Sequence, residues 1–204
     1  MNRKLLLPIA MLLTVKMNAQ HLNIQAGVRG DLTYSRVNGD GMSIGYRPGF
    51  NAGAFAEIKL MDKWSVQPEL LFSQRNIQIG DFKDFYAASA SEFPGKYAFL
   101  SYVSLPVSLK YKVLNNLSVT AGVEYSYLVY ADETLLRNKA DAFRKNDFAV
   151  LAGFDFTTPL PKLHLYGRYY QGVMDISNIN TIHSWNMIQI QAGAGYVLFG
   201  KKGK

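Results

Sequence analysis

Apolar and polar residues alternate along most of the chain after Leu22. In the first run, Ile24, Ala26 and Val28 share one face, and the polar residues between them take the other. A period of two is typical of a β-strand, whose successive side chains point to opposite faces. The pattern predicts strands at residues 22–35, 49–60, 64–75, 103–113, 117–129, 147–157, 163–170 and 188–198.

The connections between these predicted strands alternate between long and short. Short turns are expected at 61–63, 115–116 and 159–162, and long connections at 37–47, 76–98, 131–146 and 174–184. Outer-membrane barrels have short periplasmic turns and long extracellular loops. The sequence therefore predicts an all-β protein, an eight-stranded antiparallel up-and-down transmembrane β-barrel, located in the bacterial outer membrane with periplasmic termini.

The polar face separates this fold from a soluble, secreted lipocalin-like binding protein, whose apolar face points inward. A solvated exterior would carry charges at most positions, but this face is mainly Gly, Ser, Thr, Asn and Gln. Membrane barrels also carry two girdles of outward aromatic residues. The aromatic residues near strand ends are Tyr34, Phe50, Phe72, Tyr125, Tyr127, Phe148 and Tyr169 toward the long loops and Trp64, Tyr111 and Tyr196 toward the short turns. The membrane barrel is favoured, and the lipocalin-like protein stays open as an alternative.

The start of the last strand does not fit the alternation. Trp185 and Met187 are out of phase with the apolar set that begins at Ile188. A β-bulge inserts one extra residue and restores the phase. We therefore expect a bulge near Met187.

Residues 1–19 have the features of a cleavable signal peptide. A basic start, Asn2-Arg3-Lys4, precedes a short apolar run, and Ala19 suits the position before the cut. The run is too short to cross a bilayer as a helix. We expect a signal peptide at 1–19 and the barrel domain at 20–204.

Composition excludes several classes of site. The chain has no cysteine, which excludes disulfides, thiolate metal sites, a cysteine nucleophile and a lipoprotein anchor. The formal charge is +7, and Arg3, Lys4 and Lys16 in the leader account for part of it. This scattered charge does not indicate nucleic-acid binding.

Three runs resemble a known family: FAEIKLMDKWSVQPELLFSQ (55–74), YVSLPVSLKYKV (102–113) and LSVTAGVEYSYL (117–128). They are similar to the PorT-like outer-membrane β-barrel domain of Bacteroidetes, and the resemblance covers essentially the mature chain. It implies the barrel fold and outer-membrane location. Because some relatives are linked to type IX protein secretion, it also implies a possible accessory role in secretion. The chain departs from the pattern by adding Gly200-Lys201-Lys202-Gly203-Lys204 after the last aromatic residue.

The polar face places charges of both signs at similar depths. These predicted lumen residues are Arg29, Asp31, Glu57, Lys59, Glu69, Lys110, Glu124, Asp155 and Arg168. An eight-stranded barrel is just wide enough for its side chains to fill it, and buried charges must pair. We expect a structural ion-pair network, with an ion or proton path as the alternative.

The long connection at 76–98 combines aromatic and charged residues, and exposed aromatics often mark contact surfaces. The candidate partner-binding residues are Phe82, Phe85, Tyr86, Phe93 and Tyr97. The alternatives are local packing as a lid on the barrel mouth and an extension of strands three and four beyond the membrane.

Catalysis is the weaker functional prediction. His183 and Ser184, with Asp175 nearby in sequence, are the candidate set for an outer-membrane enzyme acting on lipid or peptide, but adjacency does not supply catalytic geometry. His164 has no partners at metal-ligand spacing. We expect a non-enzymatic protein with no cofactor and no metal, in contact with outer-membrane lipid and with a structural or partner-binding role.

Overall fold

The computed structural model of the protein describes residues 23–80, 97–131, 142–178 and 184–200. These residues form strands β1 (Ile24–Asn38), β2 (Arg47–Lys59), β3 (Trp64–Gln78), β4 (Tyr97–Lys112), β5 (Leu117–Ala131), β6 (Asn146–Thr157), β7 (Leu163–Gly172) and β8 (Asn186–Phe199). Within the same ranges, no helix has the length and apolar character needed to cross a membrane.

Each strand pairs antiparallel with the next, and β8 closes the barrel against β1. The short turns are residues 60–63, 113–116 and 158–162. The barrel begins and ends beside these turns, since Ala26 near the start of β1 pairs with Phe199 at the end of β8. The predicted eight-stranded antiparallel barrel is confirmed.

Side chains alternate between a buried polar interior and an exposed apolar exterior. On β4, Ser104, Ser108 and Lys110 are buried, whereas Leu105 and Val107 are 46% and 45% exposed. The predicted girdle residues Trp64 and Tyr111 pack against each other on the outside in a tilted arrangement, with ring centroids 4.7 Å apart. A lipocalin-like binder would have the opposite arrangement, with the charges outside and the apolar face inside.

Several strands extend beyond their predicted ends on the side of the long loops. The strand β4 begins at Tyr97, and β1 and β3 continue to Asn38 and Gln78. Inward positions there are apolar, for example Ile77 and Leu100, so the alternation disappears from the sequence although the strand continues. A 15-residue strand is about 50 Å long. At a tilt of about 40° it rises roughly 38 Å, more than an apolar band of about 25 Å.

The predicted bulge near Met187 is wrong. The pairing of β1 with β8 runs without a shift through Met187, and the irregularity in this pair lies at Ala26/Gly27. Trp185 and Met187 are 0% and 1% exposed. Both side chains point inward, in phase with the other inward residues of β8. They are apolar because they pack against apolar side chains at this end of the bore.

Candidate functional site

The inward charges of the barrel form three groups, which we call the upper, middle and lower clusters, with "upper" meaning toward the long loops. The upper cluster is centred on Arg75 of β3, which is fully buried. Its guanidinium donates to Glu124 at 2.7 Å and to Asp147 at 3.1 Å. Two serines, Ser104 and Ser126, accept further hydrogen bonds from the same group. Arg75 therefore joins β3, β4, β5 and β6 across the bore.

The middle cluster balances two arginines against two carboxylates. Arg29 contacts Asp31 at 3.2 Å and also pairs with Glu69, which in turn accepts from Arg168 at 2.8 Å. The Tyr166 hydroxyl accepts from Arg29 and donates to Asp31. All four charged side chains of this cluster are buried, with at most 1% of each exposed. The cluster links β1, β3 and β7 with its charges matched.

The lower cluster lies near the short turns and has one more carboxylate than ammonium group. Lys110 donates to Glu57 at 2.9 Å and lies 3.2 Å from Asp155. His164 Nδ1 lies 3.5 Å from Asp155, and the Ser65 hydroxyl donates to Glu57. The lower cluster lies where the bore meets solvent, since the Glu57 side chain is 25% exposed.

The structure thus brings eight of the nine predicted lumen charges into buried or partly buried contacts: Arg29, Asp31, Glu57, Glu69, Lys110, Glu124, Asp155 and Arg168. Lys59 is different, because its side chain is 40% exposed and its ion pair is with the exposed Asp62 at 3.9 Å. The role of these charges as a network that supports the fold remains our proposal.

Sequence reasoning left Arg75 and Asp147 out of the candidate set. Both lie on predicted polar faces, but each stands at a predicted strand end, next to a long connection. Tyr166 was also missed as a partner of Arg29 and Asp31. Its inward position follows from the alternation in β7 and could have identified it.

Above the upper cluster, apolar side chains fill the bore, and we call this group the outer plug. Its buried members are Val37, Ile77, Ile79, Ala98, Leu100, Tyr102, Leu128, Ala142, Phe143, Ile176, Trp185 and Met187. The Trp185 indole packs 5.6 Å from the Phe143 ring and donates to the Asp40 carbonyl. The Tyr102 ring also packs against Arg75, with the guanidinium carbon 4.4 Å from the ring centroid. The described residues therefore close this end of the bore.

The bore is also tightly filled between the middle and lower clusters. Between the middle and lower clusters the free volume is about 10 Å³, which is about the space that a single water needs. Below the lower cluster a larger cavity opens, at the end with the short turns. It has a volume of about 380 Å³, and we call it the lower cup.

Four of the predicted partner-binding residues, Phe82, Phe85, Tyr86 and Phe93, lie outside the described residues. The fifth, Tyr97, is the first residue of β4 and is 42% exposed on the outward face. The Arg47 guanidinium lies 4.7 Å from the centroid of its ring. Partner binding by this loop stays a prediction.

The candidate catalytic set is not assembled in the described residues. Asp175 Oδ1 accepts hydrogen bonds from the backbone amides of Ser177 and Trp185, and its other oxygen lies 3.5 Å from Arg144. Ser184 donates to Asn186, and His183 lies outside the described ranges. Asp175 therefore holds the loop around Trp185. The described parts of the chain also contain no cluster of ligands that could hold a metal ion.

Known protein families and solved structures include proteins similar to this one. The model of a family described as "Outer membrane protein beta-barrel domain" matches residues 18–178. No curated protein matches the sequence.

Three solved structures show the same fold at low identity. Neisserial surface protein A is 16% identical, with a TM-score of 0.55 over 84% of this chain and 96% of its own. Ail, the attachment invasion locus protein of Yersinia pestis, solved with the heparin analogue sucrose octasulfate, is 15% identical, with a TM-score of 0.51 over 87% and 100%. OprG of Pseudomonas aeruginosa is 15% identical, with a TM-score of 0.50 over 89% and 98%.

Proposed function

The chain belongs to the family of outer membrane protein β-barrel domains, and from that premise we propose that it is a non-enzymatic barrel with a structural or partner-binding role, an accessory to protein secretion or surface assembly. The observation that carries the proposal is the closed bore. Ion-pair clusters fill its middle and the outer plug fills its upper end. A barrel closed in this way acts through its surfaces, its loops and its rim.

The orientation is part of the proposal. Residues 1–19 act as a signal peptide, and the domain at 20–204 inserts with the short turns and both termini in the periplasm. Supporting this, the outer plug lies at the end of the barrel opposite the short turns, and outer-membrane barrels keep their short turns on the periplasmic side. The long loops then face outside, where Phe82 and its aromatic neighbours would meet a partner.

The resemblance to PorT-like barrels of Bacteroidetes favours secretion among the possible assembly roles. Fold-level analogy does not establish a role, so the partner must be found by experiment. Within the described residues, the carboxylate of Asp175 is already bound by backbone amides and Arg144. This arrangement favours the non-enzymatic role over hydrolysis of lipid or peptide.

Two measurements test this function. Purified protein in planar bilayers should show no steady conductance, because the ion-pair clusters and the outer plug occupy the described bore; ohmic channels in the unmodified protein would overturn the closed-bore role. Native detergent extraction should then recover a secretion or surface-assembly component at a fixed stoichiometry. Replacing Phe82, Phe85 and Tyr86 by serine should abolish recovery of this component. Arg144→Gln is the control variant. Equal recovery from both variants would refute the loop as the contact surface.

A further inference from the structure

The lower cup has a rim on which positive charges outnumber negative ones. Among the described residues, four rim lysines line it, Lys59, Lys63, Lys112 and Lys162, together with the rim carboxylate Asp62. Lys162 adopts a left-handed backbone conformation with φ of 70° in its turn. Clustered charges of one sign around a cleft raise the local concentration of oppositely charged ligands. The mouth of the cup therefore favours an anionic group.

The floor of the same cavity has the opposite preference. Glu57, Lys110 and Asp155 all line it, and Lys110 is the only cation among these three. Lys110 is shared between the two carboxylates, at 2.9 Å from Glu57 and 3.2 Å from Asp155. The Glu57 side chain remains 25% exposed, whereas that of Lys110 is 6% exposed. A ligand that reaches the floor thus meets a carboxylate before it meets an ammonium group.

We propose that the lower cup binds a compact zwitterion, a protonated amine next to a phosphate or carboxylate group. The amine would point toward Glu57 on the floor, and the anionic group would lie between the rim lysines. A simple anion is attracted by the rim lysines but repelled by the carboxylates of the floor. A simple cation is attracted by the floor but repelled by the rim. The cavity of about 380 Å³ lies within the range of roughly 300–1,000 Å³ that small-molecule sites occupy.

The side chains around the floor supply the remaining polar groups. Ser65, Ser118 and Thr157 line the cavity with hydroxyls, and His164 lies beside Asp155. Such convergent polar groups fix the orientation of a bound molecule. The inference goes beyond the proposed structural or partner-binding role and does not depend on it, because it concerns the end of the barrel away from the long loops.

Binding is tested with O-phosphoethanolamine as the probe, by calorimetry on the whole barrel in a non-ionic detergent. We expect saturable binding, with phosphate alone and ethanolamine alone each at least tenfold weaker. Equal affinity for phosphate alone would overturn the proposal in favour of a simple anion site, and no binding of O-phosphoethanolamine would also overturn it.

Variants separate the two halves of the site. Glu57→Gln should weaken O-phosphoethanolamine binding at least tenfold while leaving phosphate binding unchanged or stronger. The double variant Lys63→Gln, Lys112→Gln changes exposed residues only, so it should fold normally and still lose binding at least tenfold. Lys145→Gln is the matched control, since Lys145 is exposed at the opposite end of the barrel. Unchanged binding in the double variant would refute the role of the rim.

The zwitterion could be a free molecule or the headgroup of a phosphatidylethanolamine lipid. Ser118→Cys places a unique thiol on the cup wall, because the chain has no cysteine. In bilayers of phosphatidylglycerol, soluble O-phosphoethanolamine should slow maleimide labelling of this thiol. If phosphatidylethanolamine bilayers alone slow it, the headgroup is the ligand and the proposal stands. If neither slows it, the cup does not hold a zwitterion.

Discussion

Replacing Arg75 with methionine should destabilise the barrel more than the loss of any exposed charge. Arg75 is 0% exposed, and its guanidinium lies between Glu124 and Asp147 and pairs with both. Arg75→Met leaves two buried carboxylates facing each other without a cation. Removing one partner of a buried ion pair costs about 3–5 kcal/mol, a large share of a typical stability of roughly 5–15 kcal/mol.

The control is Arg144→Met, which removes an arginine of the same chemistry from a surface pair. Arg144 is 50% exposed and lies 3.5 Å from Asp175, and exposed pairs contribute about 0–1 kcal/mol. Urea titration of both variants in the same detergent gives the free energies of unfolding. Equal values would refute the structural role of the upper cluster. Adding Glu124→Gln and Asp147→Asn to Arg75→Met should restore part of the loss, because it removes the unpaired charges.

Other substitutions test the lipid face, the interstrand packing and the outer plug. Val107→Arg, at an outward position 45% exposed, should cost about 2–4 kcal/mol in bilayers; a neutral effect on unfolding would contradict a lipid-facing position. Gly53→Ala should impair folding, because its Cβ would lie 2.1 Å from the Leu70 carbonyl oxygen, whereas Gly30→Ala has 3.7 Å of clearance; equal folding yields of the two would refute this packing. Trp185→Ala should lose about 3–5 kcal/mol in urea titration, and a change below 1 kcal/mol would mean that the plug is loosely packed.

The alternation in the sequence was sufficient to predict the strand order, the short turns and the inward direction of the charges. It worked because a narrow barrel forces each side chain either into the bore or into lipid. Alternation alone places Arg29, Glu69 and Arg168 in the bore, where the structure shows them in contact.

The upper end of the bore was harder to predict because its interior is apolar. The sequence pattern assigns Trp185 and Met187 to a shifted exterior set, whereas both face inward in unbroken register. The full length of β4 was not predictable for the same reason, because the inward residues near its start are also apolar. The pairing of charges was not predictable either, since alternation gives the face of a residue but not its height relative to the other strands. Register placed Arg75 beside Glu124 and Asp147 from two other strands.

Thiol labelling in intact cells tests most directly whether the bore is closed to the outside and open toward the periplasm. Single cysteines can be placed at Ile44, which is 81% exposed in the first long connection, and at Ser118 in the lower cup. With a membrane-impermeant maleimide, Ile44→Cys should label in intact cells. Ser118→Cys should label only after the outer membrane is permeabilised. Labelling of Ser118→Cys in intact cells at the rate of Ile44→Cys would contradict a bore that is closed to the outside.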